Sequence, residues 1–143
     1  MFKSFFKKLF GTKQDKDKKF YLPAVEQTNA EWEQLQGLSN DELRNKTQEF
    51  RQRILDHLSG IDEDIKAIQE QTAVETDLQE KEALFKQIDE LKKERDKELE
   101  KVLKVLLPEA FAVVKETAKR FAENDSLTVT ATDHDRDLSL IHI

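Results

Sequence analysis

Apolar side chains in this sequence recur mostly at spacings of three and four, the pattern of helices with one buried face. Phe2, Phe5, Phe6 and Leu9 fall at i, i+3, i+4 and i+7, flanked by Lys3, Lys7 and Lys8. Gly11 follows as a helix stop. The pattern predicts an amphipathic helix within 1–12. Ten residues at about 1.5 Å each give roughly 15 Å, too short to cross a bilayer but suited to lie on one. The lysine-rich stretch 13–22 reads as a charged, mobile linker. Pro23 suits a first helical turn, so a helix carrying Val25, Thr28, Trp32 and Leu35 is expected from there to about Gln36, with Gly37 ending it. Trp32 reads as a packing anchor.

The clearest helix start is Ser39, three residues before Glu42, which makes a capping box; Leu38 and Leu43 occupy the two positions of a hydrophobic staple around it. Leu43, Thr47, Phe50 and Ile54 continue the stripe, completing a helical segment 23–56. Ile61, Ile65 and Ile68 form a second stripe, and Leu84, Ile88, Leu91, Val102 and Leu106 a third, with coiled-coil-like spacing. Arg95 sits where that stripe wants an apolar residue. Thr72–Asp77 is the weakest helical stretch, which favours an antiparallel hairpin over 57–106 rather than one long rod. Pro108 and Glu109 suit the first turn of a helix over 107–123. Ala110, Phe111, Val113, Val114, Ala118 and Phe121 make it the most apolar helix of the chain, expected to be buried on more than one side. From 124 to 137, the alternation of Leu127, Val129 and Ala131 predicts a short strand or an extended segment.

Composition supports a mainly α fold. Of 143 residues, 38% are charged and 37% hydrophobic, with only three Gly and two Pro, a mix typical of long solvated helices. Such a chain builds a small core, and several apolar stripes need partners. The net charge of −6 is uneven: seven Lys and two Asp in residues 1–19 leave the remainder at −11. A basic head on an acidic body argues against nucleic-acid binding and for one local anionic contact. No apolar run is long enough to span a membrane, and the first residues lack the features of a secretory signal.

Candidate chemistry is sparse. Without Cys there is no thiol catalysis, disulfide or Cys-ligated zinc. His57, His134 and His142 are scattered. Asp133, His134 and Asp135 would alternate faces in an extended segment and so do not converge on a metal. Gly11, Gly37 and Gly60 are too far apart for a G-x-x-x-x-G-K-[ST] phosphate loop. No catalytic, cofactor-binding or metal-ligating residue is assigned. The residues singled out are Phe2, Lys3, Phe5, Phe6, Lys7, Lys8 and Leu9, for contact with a membrane or a membrane protein. Leu138–Ile143 coincides with the in-frame translation of a transposase sequencing adaptor, CTGTCTCTTATACACATC, so 138–143 reads as an artefact and the natural sequence as truncated near Asp137.

Three blocks resemble the amino terminus of SecA, the bacterial preprotein translocase ATPase. The first is the basic amphipathic head ending Leu9-Phe10-Gly11-Thr12-Lys13. The second runs from Leu38 to Arg53, LSNDELRNKTQEFRQR, and is similar to the family's L-S-D-x-E-L-x-x-K-T-x-E-F-R-x-R. The third, Leu107 to Glu116 (LPEAFAVVKE) followed by Lys119-Arg120, is similar to L-P-E-A-F-A-V-V-R-E and K-R, with Lys115 and Thr117 as departures. Ile54–Leu106 intervenes where typical members have a short connection, so the hairpin reads as an insertion, and a second insertion is expected to begin after Phe121.

The resemblance implies an incomplete amino-terminal part of a RecA-like motor domain, inactive alone, whose parent uses ATP and Mg. It implies SecYEG, anionic phospholipid and preproteins as the parent's partners, and a cytoplasmic protein peripheral on the inner membrane. A non-enzymatic coiled-coil protein of the membrane surface is the alternative; it explains the head and the heptads but not the second and third blocks.

Overall fold

A computed structural model describes residues 12–140. Four helices occupy them: α1 (Lys13–Leu35), α2 (Asn40–Val74), α3 (Leu78–Glu123) and α4 (Asp133–Leu140). The mainly α class is borne out, and no strand forms among the described residues. The alternating stretch Leu127–Ala131 runs as an irregular segment between α3 and α4.

Three boundaries differ from expectation, each for a local reason. Residues 13–22, read as a linker, are helical, because Thr12 and Asp15 form a capping box: the Asp15 N–H donates to Thr12 Oγ1 at 3.2 Å and the Thr12 N–H to Asp15 Oδ2 at 2.7 Å. Pro23 therefore lies inside α1, and Pro108 likewise lies inside the 46-residue α3. Each removes one N–H donor without ending its helix. Asp133–Asp137, expected to be extended, begins α4, where Thr132 and Asp135 repeat the T-x-x-D box of Thr12 and Asp15. Elsewhere the signals hold. Ser39 and Glu42 exchange both capping bonds, at 2.7 and 3.2 Å, and α1 ends two residues before Gly37.

The chain divides into two compact units, one formed by the described residues up to Arg44 together with those from Pro108 onward, the other by Asn45–Leu107. The second is an antiparallel helix pair. Arg95 bonds Asp62 at 2.5 Å and His57 meets Glu98 at 3.2 Å, so partners run in opposite directions along the two arms. Leu58, Ile65 and Thr72 recur every seven residues on α2 and are buried with Ile88, Val102 and Leu106 of α3. The Thr72 hydroxyl is satisfied by the Ile68 carbonyl at 2.7 Å. The reversal lies in residues 75–77, inside the stretch read as weakly helical. Asp77 Oδ1 caps α3 by accepting the N–H groups of Gln79 and Glu80, while Glu75 Oε1 accepts those of Thr76 and Asp77. Side-chain caps thus make the turn without a glycine.

The first unit has a small core of Leu35, Leu43 and Ala112, with Trp32, Leu38 and Val113 packed against it. Both staple leucines belong to that cluster.

Candidate functional site

Within the first unit, α3 supplies Glu116 and Arg120 one turn apart on the face that meets α1. Glu116 is only 4% exposed. Its Oε2 accepts the indole N–H of Trp32 and its Oε1 accepts Arg120 Nε, both at 2.8 Å. Burial alone would push the Glu116 carboxyl up; the bonds from Arg120 and Trp32 outweigh it and hold the group below its ordinary value. The Arg120 guanidinium also donates to the carbonyls of Leu38 and Leu35, at 2.7 and 3.5 Å, and to Asn40 Oδ1 at 2.8 Å. Those carbonyls end α1 and its turn, where the helix has no N–H partners of its own. Lys115 Nζ stands 3.7 Å from the Trp32 ring centroid and bonds Asn29 Oδ1 at 2.8 Å. Trp32 is thus the packing anchor expected of it.

A second polar contact lies at the start of α2. Asp41 accepts the N–H and hydroxyl of Thr130, at 2.8 and 2.6 Å, and Arg44 pairs with Asp135 at 2.5 Å. Hydrogen bonds from Thr130 lower the Asp41 carboxyl, and those from Arg44 and then Thr132 lower Asp135. Asn40 adds a bond to the Thr128 carbonyl at 3.0 Å. These side chains hold the irregular segment that the sequence read as strand-like.

Among the described residues, nothing covers the opposite face of α3. Phe111, Val114 and Phe121, at heptad-like spacing with Ala118, are 56%, 63% and 68% exposed. The expectation of burial on more than one side is therefore met on one face only among the described residues. Exposed apolar stripes of this kind mark surfaces that receive a neighbour.

Phe2, Lys3, Phe5, Phe6, Lys7, Lys8 and Leu9 lie outside the described residues, as does His142. His57 and His134 are far apart in sequence, and His57 meets Glu98 on the helix pair. Among the described residues no group of three or more His, Asp or Glu side chains is placed to hold a metal ion, and no helix is long and apolar enough to cross a membrane. The sequence reading missed Glu116 as a buried anion. Its one visible signal was an acid four residues before an Arg on an otherwise apolar helix. The T-x-x-D pattern at Thr132 was equally visible.

Among the described residues, the first unit therefore combines a small packed core, an ion pair inside it and an exposed apolar face on α3. Residues 6–132 match the SecA DEAD-like domain family. Relatives called protein translocase subunit SecA include those of Cytophaga hutchinsonii, 49% identical over 92% of this chain, and Phocaeicola vulgatus, 46% identical over 96%. That of Amoebophilus asiaticus is 45% identical over 94%. The chain belongs to the SecA family. It spans about 12% of the length of these relatives, and the matched spans take in Ile54–Leu106 along with the flanking blocks. No solved structure matches it.

Proposed function

We propose that this chain is the amino-terminal part of a SecA-like ATPase that drives preproteins through the SecYEG channel. In this reading it supplies membrane and channel attachment through its basic head and packing helices through the rest. The observation that carries it is the bare Phe111–Phe121 face of α3, set beside a complete small core in a chain that matches about 12% of its relatives' length. That face is where the remainder of a motor domain packs. The hairpin within 57–106 is an insertion into that domain.

ATP and Mg belong to the parent. The residues here do not fit them: there is no phosphate loop, and the grooves of the helix pair are edged by Glu75, Glu80, Glu90 and Glu94, which repel a triphosphate. No step of hydrolysis is assigned to this chain.

On the cytoplasmic face of the inner membrane, Phe2, Phe5, Phe6 and Leu9 insert while Lys3, Lys7 and Lys8 meet lipid phosphates, each Lys contributing on the order of 1 kcal/mol. Flotation with vesicles containing anionic phospholipid tests this: changing the three lysines to Glu weakens co-flotation. Unchanged flotation overturns the attachment role. Extending the reading frame until it encodes, or ends without, a phosphate loop tests the motor assignment separately.

A further inference from the structure

One side of the helix pair carries a shallow groove with an apolar floor and an acidic edge. Near the turn the floor is Val74 and Leu84; further along it is Ile68 and Leu91, with Gln87 common to both stretches. On α3 the edge is Glu80, Ala83, Gln87, Glu90 and Glu94, alternating spacings of three and four, so these residues form one straight row beside the buried seam. Glu75, whose Oε1 already caps the turn, adds an acid; Lys86 is the one cation among the residues lining the groove, and Lys93 pairs with Glu90 beside them at 2.7 Å. Val74 is 80% exposed, and Leu84, Leu91 and Ile68 are covered only in part by the partner arm. From Glu80 to Glu94 the row is about 21 Å long, room for a helix of about 14 residues.

We propose that this groove receives a basic amphipathic helix of a protein partner, laid alongside the pair to make a three-helix arrangement. The floor supplies the slot for an apolar stripe at i, i+3, i+4 and i+7, as in other helix-in-groove contacts. Glu80 and Glu94, together with the Glu90 carboxylate that Lys93 shares, select Lys and Arg on its flanks and reject acidic helices, anionic lipid and nucleic acid. The hairpin is therefore a recruitment arm with its own ligand chemistry, separate from the attachment proposed for the head.

The test uses the 143-residue chain and three fluorescent synthetic peptides of about 14–18 residues. One is a Leu/Lys helix with heptad spacing, one has the same composition scrambled, and one replaces Lys by Glu. Fluorescence anisotropy is expected to show the amphipathic basic peptide bound at least ~10-fold more tightly than either control. Glu90→Lys with Glu94→Lys removes that preference, while circular dichroism reports unchanged helix content. A photo-crosslinker at Ala83 captures the peptide, and one at Phe85, off the row, does not. Equal binding of the scrambled peptide, binding indifferent to the charge reversal, or equal crosslinking from both positions overturns the proposal, as does no binding at all.

Discussion

The indole N–H of Trp32 donates to the buried carboxylate of Glu116 at 2.8 Å, across 84 residues of sequence. Through that one acceptor, α1 is tied to α3, and through Arg120 the same carboxylate is tied to the carbonyls that end α1. The bond sets an anion beside the small apolar core of the first unit.

Removing one member of this group strands the others. Glu116→Ala leaves the Trp32 N–H without its acceptor and the Arg120 charge with only the Asn40, Leu35 and Leu38 oxygens, a loss of roughly 1–3 kcal/mol. The check is urea unfolding followed by Trp32 fluorescence, the one tryptophan of the chain. A shift no larger than that of an exposed Glu→Ala control would show the carboxylate to be peripheral to stability.

The helix pair offers the reverse contrast. Leu58, 1% exposed on the seam, is expected to cost about 2–5 kcal/mol on Leu58→Ala through lost burial and a residual cavity. Asp62 and Arg95 stay 40% and 33% exposed, so a double-mutant cycle between them should give less than about 1 kcal/mol. Thermal melts of the single and double variants measure both, and a cycle energy above that of the seam residue would refute the ranking.

Ser39→Ala removes the acceptor of the Glu42 N–H and is expected to destabilise the start of α2 by about 1 kcal/mol. Ser39→Asp should restore most of it. Amide exchange at Asp41 and Glu42 reports the loss locally.

Acid should release the segment that docks on α2. Asp41 and Asp135 both titrate below the ordinary Asp value in the folded chain, through Thr130 for the first and through Arg44 and then Thr132 for the second. A depressed folded value contributes stability that is complete above the unfolded pKa of about 3.9 and is lost as pH falls below it. Amide protection at Thr130 and Thr132 should therefore hold at neutral pH and decline below about pH 4. Asp135→Asn should flatten that decline at Thr132; an unchanged profile would mean the carboxylate does not hold the segment.

Much of this architecture was legible in the residues. The Ser39–Glu42 box, the turn within Thr72–Asp77 and the stripes of Ile65 and Ile88 all depend on neighbours within a turn or two, and such local patterns survive into the fold. The two prolines misled for a related reason. Each is a good first-turn residue, and an interior proline costs about 3 kcal/mol, yet both helices continue through it from starts at Thr12 and Asp77. Arg95 looked like a flaw in its stripe until Asp62 of the other arm appeared beside it. The head read as a site from its periodicity lies outside the described residues, so its assignment rests on sequence.

By itself, the order of residues determined the mainly α class, the Ser39–Glu42 cap, the reversal and the family, because each is encoded in short-range periodicity or in unbroken motif blocks. Only the tertiary structure decided that Glu116 is a buried anion, that Arg120 closes the end of α1, and which face of α3 stays bare. Those facts depend on groups more than eighty residues apart meeting within hydrogen-bonding distance. No local pattern specifies such a meeting, since it is set by how the helices pack against one another.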